Sequence, residues 1–195
     1  LIGMDPRDIE GINAVMNRAV AYAGTAKAAV DIACHDILGK AAGLPLYKLL
    51  GGLSNTIETD MTVGIDTPEL MAAAAKEHVA AGFRVIKTKV GTNIADDIAR
   101  VKAIREAVGD DVKIRLDANQ GWHAREAVEL LKRLNEYDIE LVEQPVRRFD
   151  FEGLKYVTAN SPVPVMADES CWDSKDALRL VSERAVDFIN IKLMK

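Results

Sequence analysis

Five ionisable residues draw attention by type and spacing. Lys89, Asp117, Glu143, Asp168 and Lys192 follow one another at intervals of 28, 26, 25 and 24 residues, each at or just past the end of a short apolar run. Such an interval is the length of one β-strand plus the helix that carries the chain back to the next strand. Each strand then delivers one charged side chain at about the same level. Three carboxylates gathered there repel one another unless a cation lies among them. An all-oxygen set without His or Cys favours Mg²⁺, with Mn²⁺ able to substitute. An ion held this way keeps positions open for the carboxylate of a small-molecule substrate. Removing a proton α to that carboxylate makes an enediolate, whose second negative charge the ion stabilises. Lysines on two sides of it supply a base and a conjugate acid. A lysine base must be neutral, and the like charge of Lys87, partial desolvation and the ion all push Lys89 that way.

The elements that would position these residues alternate strictly. Strands are expected over 57–65, 85–90, 112–117, 139–143, 163–167 and 187–192. Helices follow the Thr67-Pro68-Glu69 start signal and run over 94–108, 123–135, 151–160 and 174–183. Six strands separated by five helices imply parallel pairing through right-handed crossovers. An open doubly wound sheet would carry a Gly-rich phosphate loop after its first strand, and Gly64-Ile65-Asp66 is not one. A barrel instead places functional residues at the C-terminal ends of successive strands, which is the pattern seen. The expected fold class is therefore α/β, a (β/α)₈ TIM-type barrel of which the chain carries strands 1 to 6. Strand alternation puts Lys87 with Lys89, and Asn190 with Lys192, on the inner face. Ile86, Thr88, Ile189 and Ile191 are expected to turn toward the helices, and Arg115 to ion-pair below the site. The first fifty residues are expected to be helical, starting at Asp5-Pro6 and continuing over 25–40 to a stop near Gly43 and Pro45. Domains are expected at 1–52, a helical unit, and 53–195, the partial barrel.

A net charge of −5 with no basic stripe argues against a nucleic-acid partner. No apolar run approaches the ~20 residues of a membrane span. Cys34 and Cys171 are too few and too far apart for a disulfide framework, which points to a reducing cytoplasm. A homo-oligomeric assembly is expected.

The segments Lys87-Thr88-Lys89, Asp117-Ala118-Asn119-Gln120-Gly121-Trp122, Glu143-Gln144-Pro145, Ala167-Asp168-Glu169-Ser170 and Asn190-Ile191-Lys192-Leu193-Met194-Lys195 together resemble the enolase superfamily, and within it the muconate-lactonising subgroup. The resemblance implies metal ligation by Asp117, Glu143 and Asp168. It also implies acid/base roles for Lys89 and Lys192, with Lys87 tuning Lys89. Asn119 and Glu169, beside ligand positions, are expected to orient the site from behind. The subgroup contains cycloisomerases, o-succinylbenzoate synthases, N-acylamino-acid racemases and dipeptide epimerases. The runs 117–122 and 190–195 look nearest to dipeptide epimerases of the Ala-Glu type, so a dipeptide is the expected substrate. Alternatives are the other subgroup activities, a dehydratase of the superfamily, and a catalytically silent binding module. Closing a barrel takes two more βα units, and the resemblance implies that 1–52 is the helical part of an N-terminal capping domain that also has a sheet. The chain is accordingly expected to be part of a longer protein and inactive alone.

Overall fold

The computed structural model describes residues 1–195 and resolves two compact units, 1–58 together with 192–195, and 59–191. The first unit is helical. Helix α1 spans Ile9–Ala19 and α2 spans Gly24–Ala42, with a single turn, α3, over Leu46–Leu49 after Pro45. Ile12 and Met16 of α1 bury against Cys34 of α2. The start signal lies three residues later than Asp5-Pro6. Asp8 accepts the Gly11 amide at 3.0 Å and caps α1, whereas the Asp5 carboxylate is taken by the backbone and guanidinium of Arg7. Helix α2 stops at Gly43, whose φ of +66° is left-handed.

The second unit is a six-stranded parallel sheet in sequential order: β1 Met61–Val63, β2 Val85–Lys89, β3 Lys113–Asp117, β4 Ile139–Glu143, β5 Val165–Ala167 and β6 Phe188–Ile189. Helices α4 (Pro68–Ala80), α5 (Ile94–Val108), α6 (Ala124–Leu134), α7 (Phe151–Asn160) and α8 (Ser174–Ser182) join successive strands. This is the strand and helix order expected of the first six units of the barrel. Thr67, Asn93, Asp150 and Asp173 cap four of these helices with their side chains.

Apolar spacing explains why the helices pack where they do. On α6, Ala127, Val128, Leu130, Leu131 and Leu134 form one buried stripe. They meet Ile86, Ile114, Leu116, Val142 and Val165 from the strands, with Val101, Ile104, Leu154 and Leu180 from neighbouring helices. Each fully buried Leu or Ile contributes about 1.5–3 kcal/mol. The alternate strand positions face the other way. Arg115 there pairs with Asp60 at 3.1 Å and with Glu140, the ion pair expected below the site.

Several strands are shorter than the sequence pattern, β1 and β6 most of all. β1 keeps three residues, with Ile57 93% exposed, and β6 keeps two, leaving Ile191 86% exposed and not packed toward a helix. Both are terminal strands with a single partner each, so ladder bonds hold only the stretch that faces that neighbour.

Candidate active site

Strand register sets the level of the site. Lys89 pairs with Asp117 across β2 and β3, and Asp117 with Glu143 across β3 and β4. One row of the sheet therefore carries Lys89, Asp117 and Glu143 side by side. On β5 the partner of Glu143 is Met166, and Asp168 stands two residues further on, past the strand end. Asp117, Glu143 and Asp168 are all buried, at 1%, 4% and 1% exposure. Three buried acids at adjacent strand ends need compensating charge or hydrogen bonds.

The lysines of β2 provide part of it. The Lys87 ammonium donates to Glu143 Oε2 at 2.6 Å and stands 2.9 Å from Asp117 Oδ2. Lys89 donates to the same Asp117 oxygen at 2.7 Å and to Asn119 Oδ1 at 2.6 Å. Asn119 passes the chain on, its Nδ2 donating to Glu169 Oε1 at 3.1 Å. Asn190, just past β6, donates to Glu143 Oε1 at 2.9 Å. Burial pushes the Glu143 carboxyl above its ordinary value; the Lys87 hydrogen bond opposes this and the charge of Asp117 adds to it. For Lys87, burial disfavours the ammonium, yet the hydrogen bonds to Glu143 and Asp117 outweigh it and hold its pKa above that of an ordinary lysine.

The donor chemistry suits a hard divalent cation. Two neighbouring buried carboxylates already converge on one positive centre, the Lys87 ammonium, and every side-chain donor is an oxygen. As the side chains stand, no three acidic, His or Cys groups are close enough to hold an ion between them. The ammonium groups of Lys87 and Lys89 instead occupy the Asp117 and Glu143 oxygens.

The loops behind the row are fastened to one another. Gly91, after β2, and Gly121, after β3, approach so closely that a Cβ on Gly121 would lie 2.4 Å from the Gly91 carbonyl oxygen. Fully buried Asp97, from the first turn of α5, ties both loops. Its carboxylate accepts from the Gly91 amide at 2.9 Å, Trp122 Nε1 at 3.1 Å, Thr92 Oγ1 at 3.3 Å and Arg100 Nη1 at 3.1 Å. Asn119 and Gln120, with φ of +41° and +72°, make the tight exit from β3 that turns the Asn119 side chain toward Lys89.

The structure thus brings together Lys87, Lys89, Asp117, Glu143, Asn119 and Glu169. Asp168 is buried at the next strand end. Lys192 lies past β6 in the short segment 192–195 that groups with the helical unit. Three participants lay outside the expected set: Asn190, Asp97 and Gln144. Asn190 carried a signal, being on the inner face with Lys192. Asp97 is an acid in a helix's first turn, a common pattern, and Gln144 directly follows the end of β4.

Sequential parallel β/α units with a lysine–carboxylate cluster at the strand ends are the pattern of (β/α) barrel enzymes, in which functional residues sit at the C-terminal ends of the strands. Residues 70–195 match the enolase C-terminal domain-like family, and residues 1–51 match the mandelate racemase/muconate lactonizing enzyme N-terminal domain. The chain belongs to the enolase C-terminal domain-like family. It is 58% identical over 195 residues to a hydrophobic dipeptide epimerase of Enterococcus faecalis, covering 100% of this chain and 55% of that protein. It is 49% identical over 197 residues to an L-Ala-D/L-Glu epimerase of Clostridium acetobutylicum, with the same coverage of 100% and 55%. The crystal structure of the E. faecalis dipeptide epimerase, complexed with Mg and the dipeptide L-Leu-L-Tyr, superposes with a TM-score of 0.97 at 59% identity, over 100% of this chain and 55% of that one. The chain spans about half the length of these relatives.

Proposed function

We propose that this chain supplies the metal site and acid/base lysines of a Mg²⁺-dependent dipeptide epimerase. The observation that carries the reading is Lys89, held by Asp117 and Asn119 in one row with the buried carboxylates Asp117 and Glu143. The similarity to two dipeptide epimerases over the whole of this chain supports the reaction type and the substrate class. Asp117, Glu143 and Asp168 are the residues that would hold the ion, with Mn²⁺ an alternative for the same oxygen set. When bound, Mg²⁺ supplies positive charge that lowers the energy of the carbanion beside the substrate carboxylate.

The remaining work falls to side chains. Lys89, as the free amine, takes the α-proton from one face of the substrate carbon. Lys192 gives a proton back from the opposite face, and the reverse direction exchanges the two roles. Lys87 keeps a second positive charge against Asp117 and Glu143. Asn119, anchored by Glu169, fixes where the Lys89 nitrogen stands. Cys34 and Cys171 are buried and form no disulfide, which supports a cytoplasmic enzyme, and we expect a homo-oligomer. No helix is long and apolar enough to cross a membrane.

The test is deuterium incorporation at the α-carbon of dipeptides in D₂O, using the intact protein with Mg²⁺ and again in excess chelator. An Ala-Glu and a hydrophobic dipeptide series together cover the side chains of both relatives' substrates. Exchange and epimerisation that require the metal are expected. Absence of exchange with every dipeptide, or full exchange in chelator, would sink the proposal.

A further inference from the structure

Gln144 directly follows Glu143, is fully buried, and holds a left-handed backbone at φ +40°. A non-glycine residue in that region costs roughly 1–2 kcal/mol, and such strain persists only where surrounding contacts enforce it. Here the contacts are the residue's own. Its side-chain amide uses all its hydrogen-bonding positions: Nε2 donates to the Val146 carbonyl at 2.9 Å and to Ser170 Oγ at 2.7 Å, while Oε1 accepts from the Asp168 and Ser170 amides, both at 3.0 Å. Its backbone N–H donates to the Met166 carbonyl and its carbonyl accepts from the Gln120 amide, each at 2.8 Å. One side chain leaving β4 thereby grips the backbone at Asp168, and the same residue's backbone grips the exit of β3. Flipping the amide would set Nε2 against two N–H donors and Oε1 against a carbonyl, so its orientation is fixed.

We infer that Gln144 is a positioning residue that sets the β5 carboxylate Asp168 relative to Glu143, so that the two meet a common cation from adjacent strands. This rests on the proposed ligand role of Asp168 and extends it to a residue that touches neither ion nor substrate. A side chain that served only the core would be replaceable by an apolar one of equal length without changing affinity for the ion. A template would not be: with Gln144→Met, the Asp168 and Ser170 amides lose the acceptor that ties them to the β4 exit.

The experiment is Mn²⁺ binding to the metal-free intact protein, followed by electron paramagnetic resonance, with melting curves in chelator to establish folding. Wild type and Asp168→Asn come first. Wild type should bind and Asp168→Asn should bind at least tenfold more weakly; if it does not, the ligand reading fails and this inference with it. Given that difference, Gln144→Met is expected to weaken Mn²⁺ binding by about 10–100-fold while remaining folded, as loss of a ligand's supporting hydrogen bond typically does. A folded Gln144→Met within about twofold of wild type would overturn the inference and leave the ligand reading intact. Should Gln144→Met fail to fold, Ser170→Ala decides, because it removes one of the amide's four partners and no backbone group. Weakening of about threefold or more supports the template, and unchanged affinity overturns it.

Discussion

Replacing Lys87 by Met removes the one ammonium that spans Asp117 and Glu143. The two buried carboxylates then keep the Lys89 ammonium on Asp117 and the Asn190 amide on Glu143. The least costly response of the metal-free protein is to protonate Glu143, whose carboxyl burial already pushes upward. Keeping a proton at pH 7 on a group with an ordinary value of 4.5 costs about 1.36 kcal/mol per pH unit, or about 3 kcal/mol in all. That is an upper bound on the loss, and it agrees with the ~3–5 kcal/mol expected when one partner of a buried ion pair is removed. The sign follows from linkage. A folded-state carboxyl pKa above the unfolded one means the folded protein holds more protons, so stability falls as pH rises from the ordinary carboxylate range through the raised folded value. The deficit of Lys87→Met should therefore be up to about 3 kcal/mol at pH 7 and under about 1 kcal/mol at pH 5. Mg²⁺ should restore stability more in the variant than in wild type, by up to about 2.7 kcal/mol at a hundred times its Kd. Urea unfolding of the intact protein in chelator, at both pH values and with added Mg²⁺, measures all three quantities. A deficit that is absent at pH 7, or equal at pH 5 and pH 7, would refute the electrostatic account of Lys87.

Asp97→Ala leaves the Arg100 guanidinium and the Trp122 indole N–H without their shared acceptor. Urea unfolding should show a loss of about 3 kcal/mol or more, since a buried, multiply bonded charge pair is broken. Gly121→Ala forces a Cβ to within 2.4 Å of the Gly91 carbonyl oxygen. A cost of about 1–3 kcal/mol is expected from melting curves, together with reduced turnover, because the loop after Lys89 and the loop carrying Asn119 must separate; a neutral outcome on both counts would mean the loops yield freely.

The spacing of charged residues from Lys89 to Lys192 was enough to give the βα repeat, but the register Lys89–Asp117–Glu143 also depends on an irregularity between Ile114 and Arg115 that shifts the β3–β4 pairing by one residue. Less visible was anything that depends on a side chain reaching across elements. Gln144 bonds residues 24 and 26 positions away, and nothing in Glu143-Gln144-Pro145 distinguishes such a template from a strand exit. Asp97 satisfies the common pattern of an acid in a helix's first turn, while its actual partners come from two loops. Strand ends were overestimated at β1 and β6, since apolar alternation continues past the point where a neighbouring strand supplies hydrogen bonds. The helix start at Asp5-Pro6 was displaced by a competing cap, Asp8, three residues on.

The central claim is that two lysines act on opposite faces of one α-carbon. It is tested most directly by following α-deuterium incorporation into L- and D-terminated dipeptides, by NMR in D₂O, with Lys89→Ala and Lys192→Ala in the intact protein. Each variant should lose exchange of one epimer, by on the order of 10²–10⁴-fold, and retain exchange of the other. The retained epimer should differ between the two variants, and neither should interconvert the isomers. Equal loss of exchange for both epimers in both variants would contradict the two-base mechanism.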